Sequence, residues 1–460
     1  MSLTKCSTAH SFLEIDPPSS CQIVPLRSES VIQGEGFIMR AVFGVVLSFL
    51  TIMLAALMPA AASNHDEKTI VRVALYEFIP GYDIDQLQAL RVSIKQGFEQ
   101  AHPQYELDIK LTPNRFDLYD LEKLERWLTD ETADGYDVLE IDTLLLGELV
   151  NTGAISPWVD VDEDQFFSAA LDASRVNGRF YGIPHLMCGY FLFTRDAQVA
   201  EAETVSELVA AARGENNDTV DLVGAFEGSW TIPSLYLDAR VDTAPQAAPN
   251  VLWEETVAAL DPETTSSLRT LFKLCDANGL NACLREERYA LTNASGFSGL
   301  FAMGFADSLI GYSERFHFIK KMPGWETVKV GSAPLGDGNA PLMFADSFVL
   351  SERCNRTAQC RDGARAFADY MNQDDVLEPY LLARDLKDAW GSPLPPRYLL
   401  PAKRSAYGFQ AIKSDPIYSG FEQAQQRAVA FPNTGFGPNR KAVRDAILCE
   451  MFTQSCSNVD

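Results

Sequence analysis

From Val71 onward the chain alternates strand-like and helix-like hydrophobic periods in close succession, and this alternation restricts its fold more than any other feature. VRVALYEFI is rich in β-branched and aromatic residues, as strands are. In the following DQLQALRVSIKQGFEQAH, Leu87, Leu90, Ile94 and Phe98 fall on one helical stripe. Pro103 stops that helix. YELDIKLT then alternates Leu107, Ile109 and Leu111, LYDLEKLERWLTDE reads as a second amphipathic helix, and YDVLEID as a third strand. A βαβαβ opening predicts an α/β protein with a parallel sheet, helices on both faces, and ligands bound beyond the carboxyl ends of the strands. Tyr76 and Asp142 sit at two such ends.

The chain has 460 residues, 47% of them hydrophobic, enough for two packed lobes. The region from Ser206 to Ser332 is richer in helix, with SELVAAAR and SSLRTLFKLCDAN, and contains the strand-like VDLVGAF and DSLIGYSE. Beyond Pro334 come the strand-like PLMFADSFVLS and the helical GARAFADYMN, FEQAQQRAVAF and RKAVRDAILCEMF. The expected division is 63–180 with about 333–390 as the first lobe, and about 181–332 with 391–460 as the second. A net charge of −25, from 63 acidic and 38 basic residues, repels nucleic acid and weakly favours cationic ligands. With no heptad pattern, a monomer is expected.

Met39 and Arg40 open the apolar run AVFGVVLSFLTIMLAALMPAAAS, which ends in small residues around Ala60 and Ala62. This pattern predicts a signal peptide over 39–62 and export to a periplasmic or extracellular space. Residues 1–38 form an upstream extension, and Met39 offers an alternative translation start. Removing Cys6 and Cys21 leaves seven cysteines. Six fall into the close pairs Cys275 and Cys283, Cys354 and Cys360, and Cys449 and Cys456, which suit disulfides in an oxidising compartment. Cys188 is left over, either as a buried, inert filler or as a reactive thiol.

Cys188 lies in VNGRFYGIPHLMCGYFLFTRD, where a Gly-Ile-Pro turn is expected to separate two apolar runs at a crossover between lobes, with His185 nearby. Asp142, Glu314 and Asp346 each end or interrupt an apolar strand-like run. Such carboxylates can cap a following helix, or sit desolvated in a cleft and act as bases. Tyr76, Phe78, Tyr312 and Phe344 accompany them, and aromatic faces beside acids suit a flat, hydrogen-bonding heterocycle. The sequence has no Gly-rich phosphate loop, H-E-x-x-H or Cys/His zinc spacing, so neither metal nor cofactor is expected.

The segments VALYEFIPG, YDVLEIDTLLLGELVNTGAISPW, RVNGRFYGIPHLMCGYFLF, LIGYSERF and LMFADSFVLS resemble the thiaminase I (thiamine pyridinylase) family, and the likeness runs from about Val71 to about Leu448. The resemblance implies a type II periplasmic-binding-protein fold with a ligand cleft between two lobes. It also implies a transferase that displaces the thiazole of thiamine and installs an amine or thiol. Cys188 would be the nucleophile and Glu314 its base. Asp142 and Asp346 would hydrogen-bond the aminopyrimidine, and Tyr76 and Tyr312 would line it. Phe78 and Phe344 stand where the family has tyrosines, which keeps ring stacking and removes hydroxyl contacts. Tyr289 is the nearest match to a further pocket tyrosine. Two other readings share the fold or the thiol: a solute-binding protein that delivers thiamine or a related pyrimidine to a transporter, and a hydrolase built on Cys188 and His185.

Overall fold

The computed structural model describes residues 68–132, 134–212, 220–277, 280–284 and 296–452. The expected extension, signal peptide, Tyr289 and Cys456 lie outside these residues. Among the described residues no helix is long and apolar enough to cross a membrane.

The strands, in chain order, are β1 (Thr69–Ala74), β2 (Tyr105–Lys110), β3 (Val138–Asp142), β4 (Ile155–Ser156), β5 (Arg175–Val176), β6 (Arg179–Phe180), β7 (Gly182–Cys188) and β8 (Tyr190–Thr194). They continue as β9 (Val220–Val223), β10 (Asp276–Ala277), β11 (Leu280–Asn281), β12 (Ala306–Tyr312), β13 (Lys329–Ser332), β14 (Leu342–Ser351), β15 (Leu400–Pro401) and β16 (Val429–Ala430). β5 pairs with β6 and β10 with β11, while two larger sheets hold the other twelve. One runs β15-β7-β14-β3-β1-β2, with β4 and β16 attached to β14, and the other runs β13-β8-β12-β9. This is a two-lobed fold of the periplasmic-binding-protein kind.

The βαβαβ opening forms as the hydrophobic periods predict, with β1 parallel to both β2 and β3. A short helical turn at Tyr82–Asp85 comes first, and the helix that carries the apolar stripe begins only at Gln88, because Gln86 and Leu87 take left-handed backbone conformations (φ 54° and 58°). It buries Leu90, Ile94 and Phe98. The sheet is not parallel throughout. β14 runs antiparallel to both β3 and β7, since it returns to this sheet from the other lobe rather than through a helical crossover.

The expected Gly-Ile-Pro turn is also absent. Gly182, Ile183 and Pro184 lie inside β7, and the turn occurs earlier, at Asn177 and Gly178, both with positive φ. Pro184 is accommodated at a bulge: Leu186 pairs with Asp346 and Pro184 with Ser347, leaving His185 as the extra residue. The chain leaves the first sheet at Cys188 and enters the second at Tyr190, with only Gly189 between them.

The return crossing, between β13 and β14, is held by two buried carboxylates on the helix Thr231–Thr243. Asp242 accepts the backbone N–H groups of Leu335, Gly336 and Ala340, and Asp238 accepts that of Leu342. Buried Arg397 secures the loop that follows β1 by donating to the carbonyl of Pro80 at 3.0 Å and pairing with Asp385 at 2.6 Å. Of the cysteine pairs, Cys275 bonds Cys283 and Cys354 bonds Cys360. Cys449 is also disulfide-bonded, and Cys188 is free.

Candidate active site

Strand register brings the site together. Asp346 in β14 is the direct cross-strand partner of Asp142 at the end of β3. Phe344, two residues earlier on the same face, is the partner of Cys188 at the end of β7. In the second sheet Tyr312, which ends β12, faces Tyr190, which opens β8. Glu314 follows β12 by two residues. Tyr76 and Phe78 lie in the loop that leaves β1, and the Tyr76 N–H donates to Glu140 at 3.0 Å. These eight residues, Tyr76, Phe78, Asp142, Cys188, Tyr312, Glu314, Phe344 and Asp346, line a single cavity of about 800 Å³.

The electrostatics follow from burial. Asp142, Glu314 and Asp346 are all nearly inaccessible to solvent. Burial pushes the Asp142 carboxyl up to about 7, opposed by hydrogen bonds from the Leu144 N–H and the Tyr119 hydroxyl. Burial also pushes Asp346 well above the usual carboxylate range, helped by the charges of Asp142, Glu140 and Glu314. Two buried carboxyls on paired strands cannot both ionise cheaply, which favours a protonated member of the pair. Among the described residues Asp346 Oδ1 has no hydrogen-bond partner, an arrangement that suits a ligand donor. Cys188 is partly exposed. Its thiol is pushed well above its ordinary pKa, first by burial and then by Asp346, Asp142 and Glu314.

Aromatic rings complete the walls. Tyr312 stacks on Tyr190 with centroids 4.9 Å apart and hydroxyls 3.2 Å apart, and Tyr190 is anchored to Ser234 at 2.9 Å. Phe344 stacks on Phe431 at 4.1 Å and meets Tyr312 edge-on at 6.4 Å. The rings of Phe78 and Tyr76 are 5.6 Å apart.

His185 is not part of this cavity. The bulge directs it into the core packed on the first sheet, where Nδ1 lies 2.5 Å from Glu140 and the ring packs against Phe348 and Tyr380. A Cys188–His185 dyad is therefore not formed.

No protein-family model matches the chain. Among curated proteins it is similar to thiaminase-1 of Paenibacillus thiaminolyticus, 26% identical over 403 residues that cover 85% of this chain and 89% of the relative. Among solved structures it is similar to Clostridium botulinum thiaminase I in complex with thiamin, with a TM-score of 0.64, 17% identity and coverage of 83% of this chain and 99% of that one. The chain thus resembles thiaminase I proteins in both sequence and fold along most of its length. It is similar in fold to a maltodextrin-binding protein of L. casei BL23, with a TM-score of 0.57, 14% identity and coverage of 85% and 95%.

Sequence reasoning missed other walls of this cavity. Tyr119 ends a 3-10 turn at Arg115–Tyr119, and its hydroxyl bonds that of Tyr76. Trp230 precedes the helix Thr231–Thr243, and its ring lies 4.9 Å from that of Tyr119. Arg440, in the helix Phe436–Met451, stacks its guanidinium 3.6 Å from the centre of Trp230. None of the three ends a predicted strand, the signal that exposed the other positions.

Proposed function

We propose that this chain is a transferase that cleaves thiamine, displacing the thiazole from the pyrimidine methylene and replacing it with an amine or thiol. One observation carries the proposal: the unpaired Cys188 stands at the junction of the two sheets, in one cavity with Glu314 and the Asp142–Asp346 pair. The acidic lining suits a quaternary thiazolium cation. A proton-sharing carboxyl pair offers one donor and one acceptor, the pattern that an aminopyrimidine's ring nitrogen and exocyclic amine require. Tyr76, Phe78, Tyr312 and Phe344 supply flat surfaces for the ring.

Glu314 takes the proton of Cys188 as sulfur adds to the ring carbon next to a ring nitrogen, and a carboxyl of the aspartate pair protonates the ring. The added electron density then breaks the bond from the methylene to the thiazolium nitrogen, and the thiazole leaves as a neutral molecule with the bonding pair. An acceptor amine or thiol gives its lone pair to the methylene and releases a proton. The aromatic pyrimidine reforms as sulfur departs, the ring proton returning to the aspartate pair and the thiolate recovering its own from Glu314. The reading includes export of the chain, in keeping with its disulfides, and function as a monomer.

The test is thiamine loss by the purified protein with and without aniline, beside Cys188→Ser. Acceptor-dependent loss, a pyrimidine-aniline product and a protein-pyrimidine adduct by intact mass are expected in the native chain, and none of them in the variant. Stoichiometric thiamine binding with no loss would instead make the chain a solute-binding protein.

A further inference from the structure

We infer that the cavity contains an anion subsite at Arg440, which selects ligands bearing a carboxylate or phosphate on the part opposite the pyrimidine. The inference rests on the thiamine-cleaving reading and concerns the half of the cavity that reading leaves undescribed. Six carboxylate residues line the wall, Asp120, Glu122, Asp142, Glu148, Glu314 and Asp346, and Arg440 is the lining residue that carries a positive charge. In so acidic a setting an arginine usually pairs with a neighbouring acid. Among the described residues Arg440 does not. Its contacts are the carbonyl of Gly437, one turn earlier in its own helix, and the face of Trp230.

This geometry fixes the guanidinium without neutralising it. Stacking on Trp230 holds the fork flat against the wall, and the carbonyl of Gly437 occupies Nη1 alone. The guanidinium is half-buried, so its charge is partly shielded from water. Asp142 and Asp346 pair across β3 and β14, and Cys188 pairs with Phe344 of the same β14, whereas Arg440 comes from the helix Phe436–Met451 and lies on Trp230. A pyrimidine held at the acidic end leaves the departing thiazole, and then the incoming acceptor, to meet Trp230 and Arg440. The anion can therefore belong to the acceptor, as in an aminobenzoate, or to the thiazole, as a phosphate on its hydroxyethyl arm.

The experiment compares kcat/KM for 4-aminobenzoate with that for aniline at fixed thiamine, and for thiamine monophosphate with that for thiamine at fixed aniline, in the native protein, Arg440→Gln and Arg440→Lys. A fall of about tenfold in the first ratio in Arg440→Gln, the worth of one partly solvated charge-assisted hydrogen bond, with partial retention in Arg440→Lys, assigns the anion to the acceptor. The same fall confined to the second ratio assigns it to the thiazole. Both ratios unchanged within twofold in Arg440→Gln overturn the inference. If the native protein turns over no thiamine, the thiamine-cleaving reading fails separately, and calorimetry of 4-aminobenzoate and aniline with the same three proteins decides the subsite. Selective weakening of the anion in Arg440→Gln supports it, and equal binding overturns it.

Discussion

Replacing Glu314 by Gln tests how the thiol becomes a nucleophile. A cysteine of ordinary pKa, about 8.5, is about 3% thiolate at pH 7. Cys188 is pushed higher by burial and by three carboxylates, so its resting thiolate fraction is smaller still, and attack requires removal of the proton in the same event. Removing the base therefore costs about 10²-fold or more in kcat/KM at pH 7, or about 2.7 kcal/mol of barrier. Loss of the Glu314 charge makes the thiol somewhat easier to ionise. That offset is small, because burial, Asp346 and Asp142 all outrank Glu314 as causes of the shift. The signature is the pH profile from initial rates of thiamine loss. Log kcat/KM for Glu314→Gln rises with a slope near one between about pH 7 and 9, as hydroxide and the thiol's own ionisation replace the base, while the native profile is much flatter there. His185→Gln keeps the native slope, since His185 is tied to Glu140 behind the site. A Glu314→Gln enzyme within threefold of native with an unchanged profile, or a loss seen only in His185→Gln, would refute the assignment.

Asp142→Asn tests the cost of the buried carboxyl pair. The folded value of Asp142 is pushed up to about 7 against about 3.9 in the unfolded chain, so between those values the folded state holds more protons and native stability falls as pH rises. Asparagine keeps the acceptor for the Leu144 N–H and removes the charge. The variant should match the native chain near pH 4 and gain on the order of 2–4 kcal/mol over it by pH 8 in urea melts, and parallel stability curves would contradict this. Cys275→Ser with Cys283→Ser opens a short loop, its ends 8 residues apart, and should cost about 2–3 kcal/mol of stability with thiamine loss retained. Abolished activity in a chain that still melts cooperatively would show that the disulfide shapes the site.

Much of this architecture is legible in the sequence because local periods encode it. The βαβαβ start, the odd cysteine and the acids that interrupt apolar runs each follow from a few adjacent residues. What escapes reading is set by contacts distant in sequence. Gly-Ile-Pro resembles a turn until β14 is present to accept Pro184 at a bulge, and the antiparallel placement of β14 depends on a chain that has passed through the other lobe. Tyr119, Trp230 and Arg440 come from a 3-10 turn, a helix entry and a helix near the end of the chain. Only packing brings them to the same wall.

The nucleophile's position connects the chemistry to the fold. Cys188 is the last residue of β7 and Tyr190 the first of β8, so the thiol sits where the chain passes between sheets. Gly189 suits that passage: a Cβ there would meet the Met343 side chain at 3.0 Å and the Leu342 carbonyl at 3.3 Å. Cys188 is thereby held against β14 of the first sheet, opposite Phe344, while Glu314 comes from the end of β12 in the second. The proposed nucleophile and base thus come from different sheets and meet in one cavity at the crossing between them.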